Sequence, residues 1–212
     1  MIKFTDFCKH QLINESAKQS YKIMMKRATP FFRNTESLNI ESPPKTNSET
    51  TKTELGEVLD AMIMSEEKLK YEKDLDKNYM NMMGDIIDAS DEERNLIREL
   101  KRQIDTLTLK QKFKYNRPRP REVAKMYDKK LNPHVSVDTP GYPSNHTVTG
   151  LVIAEVLSKR HPEHRTELMK IANDNAESRV SLGVHFVSDV EAGREFAKQM
   201  MERYKEESHE NI

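Results

Sequence analysis

Ser90 is followed by Asp91, Glu92 and Glu93, and then by Ile97, Leu100, Ile104 and Leu107. A serine three places ahead of a glutamate forms a capping box, in which the two side chains satisfy backbone N–H groups that the first helical turn leaves unpaired. The acids suit the positive end of the helix dipole. The apolar residues recur at steps of three and four, which puts them on one helical face. The spacing predicts one helix from Ser90 towards Tyr115, ending ahead of Pro118 and Pro120, because the residue before a proline is driven out of helical angles. A rod of that length sets the scale of the domain, and neighbouring segments must bury its stripe.

Those segments carry the same period. Leu55, Val58, Leu59 and Met62 follow it, as do Met80, Met83, Ile86 and Ile87, and then Val148, Leu151, Val152 and Val156 in a helix starting near His146. Pro162 suits the first turn of the next helix, with Leu168, Ile171 and Ala172 on its inner face. Ser188 is expected to cap a last helix carrying Phe196, Met200 and Tyr204. No stretch alternates with period two for long enough to make a strand, so the expected fold class is all-α, a compact helical bundle. The 212 residues suffice for one domain with an appendage. Residues 36–53 read as a loop and 121–142 as a second one. The expected division is an N-terminal helix or arm over 1–40 and the main domain over 41–212.

Charge balances at 35 basic and 35 acidic residues, which argues against whole-molecule attraction to nucleic acid or to an anionic membrane. No apolar run approaches the ~20 residues that span a bilayer. The opening MIKFTDFCKHQLINES is broken too early by charges and amides for a secretory segment. The lone Cys8 excludes an intrachain disulfide and fits a reducing compartment. The expectation is a cytoplasmic protein without nucleic-acid or membrane partners, its oligomeric state open.

Three clusters collect basic and hydroxyl side chains: KFKYNRPRP at 112–120, Pro143-Ser144-Asn145-His146, and SRVSLGVHFVSD at 178–189. A transferring phosphoryl group spreads its charge over three oxygens, so several fixed cations and donors must converge on it. Arginine supplies forked permanent donors and lysine a point charge. Ser144 and the N–H groups of 145 and 146, at a helix start, would complete an anion nest. His185 and Asp189 are four apart, so one helical turn brings carboxylate to imidazole and fixes its tautomer. One neutral histidine can then attack phosphorus while a protonated one gives its proton to the leaving oxygen, and His146 is the remaining candidate for that acid. Taken singly, the clusters have plainer readings: a helix cap at Ser144 or Asn145, a solvated basic helix end, a structural His–Asp pair. Their joint occurrence in this order outweighs those, since S-R-x5-H-x3-D alone is expected by chance on the order of once per thousand such chains. K-x6-R-P fits both Lys110/Arg117 and Lys112/Arg119, and spacing alone leaves the two registers open.

This triple pattern resembles the signature of the type 2 phosphatidic acid phosphatase (PAP2) superfamily, which includes the bacterial class A non-specific acid phosphatases and, more distantly, the vanadium haloperoxidases. GYPSNHT and SRVSLGVHFVSDVEAGR look most like the class A branch in spacing and flanks, and the likeness runs from about Ser42-Pro43-Pro44 to the final helix. The resemblance implies a PAP2-like helical bundle and a phosphatase needing no metal or cofactor that hydrolyses phosphomonoesters; the opening's lack of a secretory segment turns the expected substrate towards a small intracellular phosphate such as a nucleotide. It implies phosphate binding by Lys112, Arg119, Ser144, Asn145 and Arg179. Lys112/Arg119 is preferred because Tyr115 and Arg117 then fall where class A enzymes place similar residues. It also implies His185 as nucleophile forming a phosphohistidine, Asp189 as its orienting partner and His146 as general acid. Asn145 stands where the family pattern has glycine; asparagine tolerates left-handed angles that would keep its N–H on the phosphate. Alternatives are a non-catalytic phosphate-binding module, a vanadium-dependent peroxidase and, less well supported, a metal hydrolase using His161 and His164.

Overall fold

Glu93 returns its carboxylate to the Ser90 N–H at 2.9 Å while Ser90 Oγ accepts from the Glu93 N–H at 3.2 Å, so the capping box opens the long helix as expected. In the computed structural model, which describes residues 15–204, the helices in chain order are α1 (Glu15–Met24), α2 (Glu49–Ala61), α3 (Glu66–Ile86), α4 (Asp91–Tyr115), α5 (Pro120–Met126), α6 (Asn145–Arg160), α7 (Arg165–Ser181) and α8 (Val187–Arg203), with short 3-10 turns at Thr35–Ser37 and Pro162–His164. The class is all-α, and among the described residues no helix is long and apolar enough to cross a membrane.

The middle of the bundle is α6. It packs on α4, α7 and α8, while α3 lies along α7. Val148, Val152, Ile153, Ala154 and Leu157 of α6 are wholly buried, and so are Thr147, Thr149 and Gly150. A helix covered on nearly every side is a core helix rather than an amphipathic one. Fully burying each Leu or Ile here stabilises the fold by about 1.5–3 kcal/mol. The contact with α8 is closest at Gly193, where a Cβ would meet the Thr147 Cβ at 2.9 Å and the Ser144 carbonyl at 3.0 Å. A second, smaller apolar cluster joins Leu55 and Val58 of α2 to Val123 and Ala124 of α5, Leu131 and Phe186.

Several boundaries differ from expectation. Part of the 121–142 stretch is helical, because Pro120 takes the first position of α5, where its missing N–H costs nothing. The supposed loop 36–53 ends earlier, since Ser48 Oγ caps α2 through the Thr51 N–H. Pro162 opens a 3-10 turn, and α7 starts only at Arg165. Ser188 lies inside the first turn of α8 and is not its cap. The Asp189 carboxylate takes the Phe186 N–H instead, at 3.0 Å. Helix α4 stops as expected, with Asn116 in left-handed angles ahead of the prolines. Of residues 1–40, expected as a helix or arm, the described part contains α1; His10 and His209 lie outside the described residues.

Candidate active site

The turn after α7 positions the central imidazole. Gly183 has φ +76, a value that favours glycine. The chain there folds back so that the N–H groups of Val184 and His185 both donate to the Arg179 carbonyl, at 3.2 and 3.1 Å. Arg179 and His185 are thereby tied through the backbone, which is what the spacing S-R-x5-H accomplishes. One turn further on, Asp189 receives His185 Nδ1 at 3.1 Å.

The tautomer of His185 follows from its neighbours. A guanidinium can only donate, and Arg119 Nη1 lies 2.7 Å from His185 Nε2. Nε2 must therefore hold a lone pair, and Nδ1 carries the proton given to Asp189. The ring is almost completely buried. Burial, and then the charges of Arg119, Lys112, Arg179 and His146, hold its pKa well below 6.5. His185 is neutral, with its basic nitrogen facing the cations.

Those cations are buried too. Lys112 Nζ donates to the carbonyls of Pro140 and Gly141 at 2.7 and 3.2 Å. Arg119 donates to the carbonyls of Thr139 and Val184 at 2.8 and 2.7 Å. Neutral carbonyls orient these charges without cancelling them. Burial lowers the Lys112 pKa well below 10.5, with Arg119 beside it adding to the effect. Burial likewise brings Arg119 down to about 10. Both shifts describe a site short of negative charge, which a bound oxyanion would relieve. Of the alternative register, Lys110 points to solvent and Arg117 lies behind Asp189, donating to its Oδ1 at 2.6 Å.

Ser144 caps α6. Its Oγ accepts from the Thr147 N–H and, at 2.9 Å, from Thr147 Oγ1, which leaves its own hydrogen to donate. Its N–H is taken by the Asp189 carbonyl at 2.9 Å. Asn145 departs from expectation, since it begins α6 in right-handed helical angles; among the described residues the non-glycine positions with positive φ are Asn34, Asp88, Asn116 and Asp128. Its side chain is drawn to α4, where Nδ2 donates to Asp105 Oδ1 at 2.9 Å. His146 is more open than His185 and the cations, its side chain 31% exposed. Its Nε2 lies 3.3 Å from Asp76 Oδ1, and its ring centroid 5.7 Å from that of Tyr79. Burial, followed by Arg179, pushes the His146 pKa well below 6.5, and Asp76 opposes this.

Asp76 was not marked by any sequence motif. The same carboxylate oxygen that faces His146 accepts from Arg179 Nη1, so one residue of α3 holds Arg179 and the candidate acid together. Glu54 of α2 was missed as well; it pairs with Arg117 at 2.9 Å. The only hint was position, since Glu54 and Asp76 each immediately adjoin a fully buried leucine, at 55 and 75. Outside this cluster, His161 Nε2 lies 2.5 Å from Glu93 Oε1, and His134 packs through its backbone N–H on the Leu182 carbonyl. Two surface depressions, one along α1 and one along α3 between Glu67 and Lys77, contain none of the site residues.

The PAP2 superfamily model matches residues 104–197, from within α4 to within α8. The chain is similar to a non-specific acid phosphatase of Salmonella typhimurium, 47% identical over 53 residues, which are 25% of this chain and 21% of that protein. A non-specific acid phosphatase of Providencia stuartii is 43% identical over 53 residues, with the same shares. The alignment thus spans about a fifth of the length of these curated relatives. The crystal structure of the first bacterial vanadium-dependent iodoperoxidase superposes on 84% of this chain and 55% of its own, with a TM-score of 0.63 and 16% identity, a likeness of fold alone.

Proposed function

From the match of residues 104–197 to the PAP2 superfamily model, we propose a phosphatase that hydrolyses small phosphomonoesters through a phosphohistidine at His185. The observation that carries this reading is the pairing of a neutral, Nδ1-protonated His185 with the buried Lys112, Arg119 and Arg179, Arg119 donating to its unprotonated Nε2. Lys112, Arg119 and Arg179 hold the phosphoryl oxygens, with the Ser144 hydroxyl as a further donor. Nε2 attacks phosphorus, the N–P bond forms as the P–O bond to the leaving group breaks, and His146, which takes up a proton when the negative charge of the bound phosphate offsets that of Arg179, gives it to that oxygen. Asp189 stabilises the positive charge that develops on the ring. Water then attacks phosphorus, the N–P bond breaks, and His146 recovers a proton from that water. His146 suits this role because, unlike His185 and the cations, it is partly exposed to solvent, where a leaving group enters and departs.

Loss of the nucleophile tests the reading. His185→Ala is expected to lower kcat for 4-nitrophenyl phosphate by about 10³-fold or more, measured as nitrophenolate release with folding checked by circular dichroism. Wild-type turnover in that variant contradicts it. Tight vanadate binding by a wild type that hydrolyses no phosphomonoester points instead to the non-catalytic binding module.

A further inference from the structure

Behind His185, on the side away from the anion pocket, lies a second chain of charge. Asp189 uses both carboxylate oxygens: Oδ2 receives His185 Nδ1 and the Phe186 N–H, and Oδ1 receives Arg117 Nη1. Arg117 in turn donates Nη2 to Glu54 Oε2 at 2.9 Å, and its guanidinium carbon lies 4.4 Å over the Phe186 ring. Glu54 Oε1 accepts the Ser188 N–H at 2.6 Å, so a side chain from α2 also satisfies an N–H in the first turn of α8. Glu54, Arg117 and Asp189 are all buried.

We propose that Glu54 is a positioning residue for the phosphoryl transfer, acting through Arg117 and Asp189 on the charge and orientation of His185. This rests on the phosphatase reading above. Two carboxylates and one guanidinium leave the rear of the imidazole with an excess of negative charge. The front faces Lys112, Arg119 and Arg179. The ring therefore sits in a field that draws an anion to Nε2 and stabilises positive charge on the ring as the N–P bond forms. Asp189 alone would be a poor source of that field, because burial raises its pKa and Arg117 is the main influence opposing the rise. Arg117 keeps Asp189 ionised, and Glu54 aims the guanidinium and supplies the second negative charge. The same carboxylate fixes the start of α8, which sets where Asp189 stands.

The groups facing His185 are Lys112 from α4, Arg119 at the head of α5, His146 from α6, Arg179 from α7 and Asp189 from α8. Neutralising Glu54 removes none of these groups and makes the rear less negative, so protonation of His185 becomes harder. Glu54→Gln and Glu54→Met are expected to lower kcat for 4-nitrophenyl phosphate roughly tenfold or more, with KM changed less than about twofold, and to move the acid limb of the kcat/KM profile to lower pH. Glu54→Asp, which keeps the charge, is expected to regain most of kcat with the limb unmoved. A folded neutral variant with wild-type kcat, or with its limb unmoved, overturns the proposal, and so does an equal loss in Glu54→Asp. Should neither neutral variant fold, Glu54→Asp and wild type are compared for kcat alone, and a kcat in Glu54→Asp as low as background overturns the proposal. If the wild type itself turns over no substrate, the phosphatase reading has failed separately. Imidazole ¹⁵N NMR then reads the His185 titration directly, expected lower in the neutral variants and contradicting the proposal if equal.

Discussion

The cations of the site come from the stretch α4 to α8, whereas helices α2 and α3 bring acids to it. The first group supplies Lys112, Arg119 and Arg179, together with both histidines and Asp189. The second supplies Asp76 against Arg179 and His146, and Glu54 against Arg117. Only the first group falls within the span matched by the superfamily model. A buried cation needs partners wherever the fold places it, and breaking such a pair costs about 3–5 kcal/mol. The acids of α2 and α3 are thus as much a part of the cradle as the cations, although no motif announces them.

The contrast is broken most severely at Asp76. Asp76→Ala leaves Arg179 and His146 without their shared carboxylate, and kcat/KM for 4-nitrophenyl phosphate is expected to fall about 10²-fold. Asp74→Ala, on an exposed side chain two residues away, is expected to stay within about twofold. Equal effects at the two positions would mean that Asp76 is a surface residue in all but place.

The histidines sharpen the comparison through stability. His146 and His185 have folded pKa values depressed below 6.5. The unfolded chain therefore binds more protons than the folded one in that range, and stability falls as pH drops below about 6.5 while remaining intact above it. The Tm of wild type is expected to decline from pH 7 to pH 5 more steeply than that of His185→Ala. Parallel declines would contradict the burial of a neutral imidazole.

Asn145 should give the smallest effect. Asn145→Gly removes the bond to Asp105 and places a poor helix former at the first position of α6. The expected cost is about 1 kcal/mol of stability, seen as a small fall in Tm. Turnover is expected to hold within a few-fold, because the side chain is tied to α4. A large rise in kcat would show that Asn145 obstructs the pocket.

How far the sequence discloses this molecule depends on whether the information is local. The Ser90 capping box, the stripe through Ile97 and Leu107 and the stop at the prolines are local, and α4 has those limits. The burial of α6 on nearly all sides is not, because the polar Thr147 is covered only when α8 approaches through Gly193. The start of α8 was displaced from Ser188 for a related reason: its caps are Asp189 and the distant Glu54. The site divides in the same way. His185 and Asp189 share one turn and Arg179 is tied to His185 by backbone bonds, so their spacing is legible. Asp76 meets Arg179 across 103 positions of sequence, and Glu54 meets Arg117 across 63. Such pairings arise only when α2 and α3 are laid against the bundle.

The central claim is that phosphorus passes through the imidazole of His185. Rapid quenching of wild type during turnover of 4-nitrophenyl phosphate under alkaline conditions, which preserve phosphohistidine, followed by peptide mass spectrometry, tests it directly. The expected result is phosphate on the peptide containing His185, placed on that ring by fragmentation and absent from His185→Ala. Steady hydrolysis with no phosphate on His185, or with phosphate on another residue, would contradict the account.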